Sequence, residues 1–290
     1  MSMTIGIAGT GRMGTAFARR LLETGHDVQV WNRTPENAVS AVDAGAVQAK
    51  TIAELTACDA IIVSLTDSAA VAGVVDELES VGMQDKLVID MSTLLPEESQ
   101  TLGARIVAAG AEYVECPVGG TVGPALKGQL LGMAGGNDAS FARAKPILEQ
   151  LCRRVEHMGA VGCGARMKLA VNLPLAIYWQ TLGESLALLK DSGIPIETAV
   201  SMIADSSAGP TVLKNRMQVV LDTINDADQP GTFDIAGLNK DLKLALRLGE
   251  SVGASQPIAQ ASVPCYEAAL NAKLGHCDGA SLTKRTAQHE

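Results

Sequence analysis

A glycine triplet set between a strand and a helix restricts the N-terminal half of this chain more than any other feature. Thr4–Ala8 is a short apolar run, Gly9-Thr-Gly11-Arg-Met-Gly14 follows it, and Thr15–Thr24 then carries Ala16, Phe17, Leu21 and Leu22 at helical spacing before Gly25. A second apolar run, Val28-Gln-Val-Trp31, closes a strand–turn–helix–strand unit of about thirty residues, the size of a βαβ crossover. A tight turn cannot join parallel strands, so the unit commits the chain to a sheet with helices on its faces.

The alternation continues. Strands are predicted at Ala60–Leu65, Leu87–Met91, Glu112–Cys116, Leu130–Ala134 and around Val155, with helices at Ala69–Leu78, Glu97–Ala109 and Asp138–Leu151. After Gly164 the period changes to that of helices alone: 165–193, ending at Ser192-Gly193, then Pro195–Ala204, Val212–Thr223, Gly237–Val252 and Ala259–Leu274. The fold class is therefore α/β: an N-terminal Rossmann-type, doubly wound, mostly parallel sheet over 1–163, followed by an all-α domain over 164–290. The segment after His276 reads as loose. Pro174, inside the long helix, predicts a kink.

Composition narrows the function. The chain has 290 residues, 47% of them hydrophobic, which supplies a sizeable core, but only 3% aromatic, so Ala, Val, Leu, Ile and Met must fill it. A net charge of -9 argues against nucleic acid or an anionic membrane as partner. The longest apolar runs, such as Ala60-Ile-Ile-Val63, are too short to span a bilayer. The glycine motif begins at Gly9, which leaves no space ahead of it for a secretory signal, and a cytoplasmic protein is expected. Six scattered cysteines form no Cys-x-x-Cys pair and four histidines give no ligand spacing beyond His276-Cys277. Free thiols and no metal follow.

In this context Gly9, Thr10, Gly11, Arg12, Met13 and Gly14 form a dinucleotide-binding turn, in which glycines let backbone amides approach a pyrophosphate at a helix N-terminus. The end of the second strand then selects the cofactor. An NAD site usually places Asp or Glu there; this chain has Asn32, Arg33 and Thr34, which removes repulsion against a 2′-phosphate and offers it a guanidinium. The same residues also read as a turn into a helix, with Thr34 as N-cap and Pro35 at N1. NADP over NAD is the expectation. Later strand ends carry Leu65-Thr66, Ser92-Thr93 and Gly119-Gly120-Thr121, which line the crevice beyond the carboxyl edge of an open sheet.

Chemistry is expected at Lys168. Gly159-Ala-Val-Gly162-Cys-Gly164 delivers a helix start, and Lys168 and Asn172 fall on one face four residues apart. The positive end of the helix dipole is expected to lower the pKa of the ammonium. The plainer alternative is a solvated lysine on an amphipathic helix. Asn239-Lys240-Asp241, ahead of the apolar positions Leu242, Leu244, Ala245 and Leu246, reads equally as a solvated charged turn.

Together these motifs resemble the β-hydroxyacid dehydrogenase family, which includes 3-hydroxyisobutyrate dehydrogenases and glyoxylate/succinic semialdehyde reductases. The resemblance runs in order along nearly the whole chain: Gly9-Thr-Gly-Arg-Met-Gly14, Asp90-x-Ser92-Thr93-x-x-Pro96, Pro117-Val-Gly-Gly120, Gly162-x-Gly-x-x-x-Lys168-x-x-x-Asn172 and Lys240-Asp241-Leu242. It implies an NADP-dependent enzyme that moves hydride between NADPH and a small aldehyde, ketone or hydroxyacid. Lys168 is then the general acid/base, Asn172 orients substrate or lysine, and Lys240 closes over the nicotinamide end. Leu65, Thr66 and Thr93 join the cofactor contacts, and Ser92, Gly119, Gly120 and Thr121 the substrate contacts. A homodimer or homotetramer through the helical domain is also implied. Many members carry Ser, a carboxylate anchor, where this chain has Gly119; Thr121 is the nearest substitute. Two alternatives stand beside this reading: an imine reductase-like enzyme, a group that typically lacks the lysine, and a non-catalytic NADP-binding protein.

Overall fold

The computed structural model describes residues 3–288. Two compact units divide between Lys168 and Leu169, inside a helix; the sequence reading divides the chain between 163 and 164.

The first unit is built on one sheet. Its strands are β1 (Thr4–Ala8), β2 (Asp27–Trp31), β3 (Val47–Gln48), β4 (Ala60–Val63), β5 (Leu87–Asp90), β6 (Glu112–Glu115), β7 (Val118–Gly119), β8 (Leu130–Gly135) and β9 (Cys152–Gly159). Their order is β3-β2-β1-β4-β5-β6-β8-β7, with β9 on the other side of β8. Pairing is parallel from β3 to β6 and between β8 and β9; β8 runs antiparallel to β6 and β7. The helices are α1 (Arg12–Glu23), α2 (Val39–Val42), α3 (Ser68–Val81), α4 (Pro96–Ala108), α5 (Val122–Leu126) and α6 (Asp138–Leu151).

The central strands are buried on both faces, which is why β4 and β5 read as continuous apolar runs. Their residues still alternate. Ile62 and Ile89 join Phe17, Leu21 and Ile147 on one side, while Ile61 and Val88 join Val75, Leu78 and Tyr113 on the other. Each such fully buried side chain contributes about 1.5–3 kcal/mol of transfer free energy. Helix starts are fixed locally: the side chains of Asp67 and Asn137 accept from the amides of Ala70 (2.9 Å) and Ser140 (2.8 Å).

The long helix α7 (Cys163–Ala187) leads into the second unit, which adds α8 (Ile196–Asp205), α9 (Thr211–Ile224), α10 (Ile235–Ser251), α11 (Pro257–Asn271) and α12 (Ser281–Gln288). The doubly wound sheet and the all-helical second half are those the alternation predicts. Helix α7 continues through Pro174. It ends at Ala187, short of the predicted 193, because the chain there tightens into i→i−3 turns (Leu189 N–H to Leu186 O, 3.0 Å) and reaches left-handed backbone at Asp191 and Gly193. Among the described residues no helix is long and apolar enough to cross a membrane.

The segment after His276 corrects an expectation. It is not loose: Ser281–Gln288 is helical, with Leu282 and Thr283 buried. The Thr283 hydroxyl donates to Trp179 O (3.0 Å), and Lys284 pairs with Asp226 (2.6 Å). Gly183 lets α12 approach, since a Cβ there would lie 2.6 Å from Thr286 Cβ and 2.7 Å from Thr283 O.

Candidate active site

The sheet order reverses at β1, which lies between β2 and β4, and open sheets hold ligands at such a point, beyond the strand ends. The glycine turn is there. Gly9 (φ +103°) has no space for a side chain: a Cβ would sit 2.3 Å from Ser64 O and 2.7 Å from Leu65 Cδ2. At Gly14 a Cβ would lie 1.8 Å from Gly9 O, so the first turn of α1 rests directly on the strand end. Gly11 faces open space, with nothing within 4 Å of a Cβ position, and as N-cap of α1 it makes no side-chain cap. Two glycines for packing and one for access fit a pyrophosphate against the amide end of α1. Thr10 is buried, Met13 half-buried and Arg12 exposed at the helix start. A cleft of about 500 Å³ flanks the turn; besides Thr10, Gly11 and Arg12 it is lined by Arg19, Asn37 and Ser40, which the sequence reading left unassigned.

The end of β2 is tied to this turn by the Gly9 amide, which donates to Trp31 O (2.8 Å). The Thr34 amide donates to Asn32 Oδ1 (2.9 Å), an Asx turn that leaves Arg33 exposed at the strand's carboxyl end. Thr34 does occupy an N-cap position, but of a 3₁₀ turn (Pro35–Ala38), and its side chain makes no cap bond. The side-chain cap read from the sequence is thus absent, and Asn32 instead holds the turn ahead of Thr34.

The next two strand ends are linked to each other. The Leu65 amide donates to Ser92 Oγ (3.0 Å), the Ser92 amide to Asp90 Oδ1 (2.9 Å), and the Tyr113 hydroxyl to Asp90 Oδ2 (3.3 Å). Burial pushes the Asp90 carboxyl above its usual range, against the pull of the Ser92 and Tyr113 hydrogen bonds. Ser92 is buried, Leu65 and Thr93 half-buried, and Thr66 exposed. Gly119 lies in β7 opposite Leu131. A Cβ at Gly119 would meet only ordinary contacts, the nearest 3.6 Å away, whereas Gly120 (φ +122°) would place one 2.7 Å from Leu130 Cδ2. Sterics therefore require glycine at 120 but not at 119. Thr121 is the N-cap of α5 without a side-chain cap bond.

At the start of α7 a carboxylate does the capping. Glu115 Oε1, at the end of β6, accepts from the amides of Gly162 (2.6 Å), Gly164 (2.9 Å) and Ala165 (3.3 Å). Burial raises the Glu115 carboxyl, while hydrogen bonds from Ser99, Ala165, Gly162 and Gly164 oppose the rise. Lys168 lies in the second turn of α7, one turn beyond the amides that Glu115 caps. Lys168 itself is 7% exposed, which removes the solvated-lysine alternative.

In the second unit Asn172 is buried and its Nδ2 donates to Asp241 Oδ2 (2.6 Å). Lys240 Nζ lies 3.2 Å from Asp241 Oδ1. Asn239–Asp241 is not a solvated turn ahead of a helix: α10 already begins at Ile235, capped by Asp234 on the Gly237 amide (2.8 Å), and Asn239 and Asp241 are buried. The sequence reading gave neither Glu115 nor Asp241 a role. For Asp241 a signal exists: it shares a helix face with Leu238, Leu242 and Ala245, and a carboxylate in an apolar stripe needs a partner. Among the described residues no three His, Cys, Asp or Glu side chains gather as a metal centre.

A switch-point glycine turn on a doubly wound sheet, joined to an all-helical unit, defines an NAD(P)-binding oxidoreductase. Residues 4–159 match the family described as the NAD binding domain of 6-phosphogluconate dehydrogenase, and residues 162–286 the NAD-binding domain of NADP-dependent 3-hydroxyisobutyrate dehydrogenase. The chain is 33% identical over 281 residues to glyoxylate/succinic semialdehyde reductase 1 of Arabidopsis thaliana, covering 95% of this chain and 96% of that protein. Among solved structures, 3-hydroxyisobutyrate dehydrogenase of Mycobacterium tuberculosis with L-serine superposes with a TM-score of 0.87 at 26% identity, covering 98% of both chains. Psf3, solved with NADP+ and 2-OPP, gives 0.83 at 27% identity, covering 98% of this chain and 99% of that one. The chain belongs to the β-hydroxyacid dehydrogenase family of NAD(P)-dependent dehydrogenases and reductases.

Proposed function

We propose that this protein is an NADP-preferring enzyme that interconverts a small aldehyde or ketone with its alcohol or β-hydroxyacid, with Lys168 as general acid/base. The observation that carries the reading is a nearly buried ammonium on α7, one helical turn from an Asn172 held by Asp241. A bound reduced nicotinamide supplies hydride. Lys168 Nζ gives its proton to the carbonyl oxygen as negative charge develops there, and in the reverse direction neutral lysine takes the hydroxyl proton. Asn172 orients the substrate or the lysine. Ser92, Gly119, Gly120 and Thr121 contact the substrate; Gly9–Gly14, Asn32–Thr34, Leu65, Thr66, Thr93 and Lys240 hold the cofactor. With no hydroxyl at 119, carboxylate-bearing substrates depend on Thr121 and backbone amides for an anchor. The six free cysteines, four of them buried, suit a reducing cytoplasm.

The test is an NADPH-oxidation screen over glyoxylate, semialdehydes, sulfolactaldehyde, uncharged aldehydes and cyclic imines. Turnover of carbonyls supports the reading. Turnover of imines alone identifies an imine reductase, and NADPH binding without oxidation by any substrate identifies a non-catalytic binder; either result overturns it.

Arg33→Ala is expected to weaken NADPH binding at least about tenfold while leaving NADH within about twofold, since charge-assisted hydrogen bonds to a phosphate are among the strong ones. Titration of both cofactors by fluorescence measures the ratio, and an unchanged ratio overturns the NADP preference.

We also propose a homodimer or homotetramer through the helical unit. Val171, Pro174 and Thr181 are exposed along one line of α7 at three- and seven-residue intervals, and Leu188, just past its end, is 85% exposed. Light scattering at micromolar concentration is expected to give a multiple of the single-chain mass; the mass of one chain refutes the assembly.

A further inference from the structure

We propose that Glu115 is the positioning residue of the active site: by gathering the amides of Gly162, Gly164 and Ala165 it fixes the turn from which α7 delivers Lys168. The inference rests on the reading of Lys168 given above. Helix starts are normally capped by the residue that precedes them, through a short polar side chain. Here that residue is Gly162 (φ +99°), which has no side chain, and the cap comes from a strand 47 positions earlier in the sequence. The seat is made to measure for a carboxylate. A Cβ at Gly135 would lie 2.4 Å from Glu115 Oε1; one at Gly164 would lie 3.2 Å from the same oxygen and 2.3 Å from Met133 O. Glu115 is 1% exposed, so its oxygen and these amides meet without competition from water.

The consequence for chemistry is geometric. Lys168 follows Gly164 by four residues and so stands one turn above it on the same face of α7. A shift or rotation of the first turn moves the ammonium with it, and a misplacement of about 1 Å costs on the order of a hundredfold in rate. The Glu115 Oε1 bonds go to backbone amides at the start of α7, so its action runs through that backbone.

The experiment combines a mutant cycle with hydrogen exchange on the full chain. Glu115→Ala is expected to lower kcat about a hundredfold, while KM for the carbonyl and Kd for NADPH stay within about threefold. Glu115→Gln keeps an acceptor oxygen and is expected to recover most of that loss. In a Lys168→Ala background Glu115→Ala is expected to change kcat less than about twofold, because a residue that acts only through Lys168 has nothing left to position. The amides of Gly164 and Ala165 have no partner within the helix, so their exchange is expected to accelerate in Glu115→Ala while β1 and β4 keep their protection. Equal kcat losses in both backgrounds, or unchanged exchange at 164 and 165, overturn the proposal. Normal turnover in Lys168→Ala alone instead overturns the reading of the lysine, and the exchange result still decides whether Glu115 holds the turn.

Discussion

Lys168→Ala is expected to lower kcat by about two to four orders of magnitude, the range in which a positioned general acid/base acts, with Kd for NADPH nearly unchanged. The two parts of this expectation come from different features of the fold. Turnover falls because alanine has no proton to give to the developing alkoxide, and water has little access to a position that is 7% exposed in the parent. Cofactor binding survives because the turn at Gly9–Gly14 and the Asx turn at Asn32 are carried on β1 and β2, not on α7. Steady-state kinetics at saturating NADPH give kcat, and fluorescence titration gives Kd. Activity within a factor of a few of the parent would remove Lys168 from the chemistry. A large loss of NADPH affinity would instead make it a cofactor ligand. Adding a primary amine offers a further check: partial rescue of turnover is expected if the missing group is a proton donor.

The fold was more legible in the sequence than the site was. Parallel strands buried on both faces leave continuous apolar runs, so Ala60–Val63 and Leu87–Asp90 show without any knowledge of their neighbours. The two-residue strands Val47–Gln48 and Val118–Gly119 carry no period to read and exist only through their partners on β2 and β8. Helix α12 is mostly polar in sequence, with Lys284, Arg285 and Gln288, and its burial depends on Trp179 and Gly183 about a hundred positions earlier. The same distance in sequence hid the second rank of site residues. Lys168 and Asn172 belong to a local i, i+4 pattern, but their supports do not: Glu115 lies 47 to 50 residues from the amides it caps, and Asp241 lies 69 from Asn172. A turn motif reports the atoms that meet a ligand. The buried carboxylates that hold those atoms in place become visible only when the chain is folded.

Gly14→Ala and Gly11→Ala are expected to separate the structural from the binding function of the glycine turn. At Gly14 the added methyl would lie 1.8 Å from Gly9 O, a backbone atom that cannot move aside without displacing the end of β1. Overpacking of that kind against backbone belongs among the severe substitutions, at about 4 kcal/mol or more, which for a unit of this size lowers Tm by roughly 10 °C. Cofactor affinity falls with it, because the amides that meet the pyrophosphate are carried on the displaced turn. At Gly11 the methyl meets nothing within 4 Å and the backbone is extended (φ −68°), so stability is expected to stay within about 1 kcal/mol. Its methyl nevertheless stands where a pyrophosphate has to approach the amide end of α1, and NADPH binding is expected to weaken at least about tenfold. Calorimetry without ligand and fluorescence titration with NADPH measure the two effects separately. An unchanged Tm for Gly14→Ala would show that α1 does not rest on the strand end as described, and an unchanged Kd for Gly11→Ala would place the pyrophosphate away from this turn.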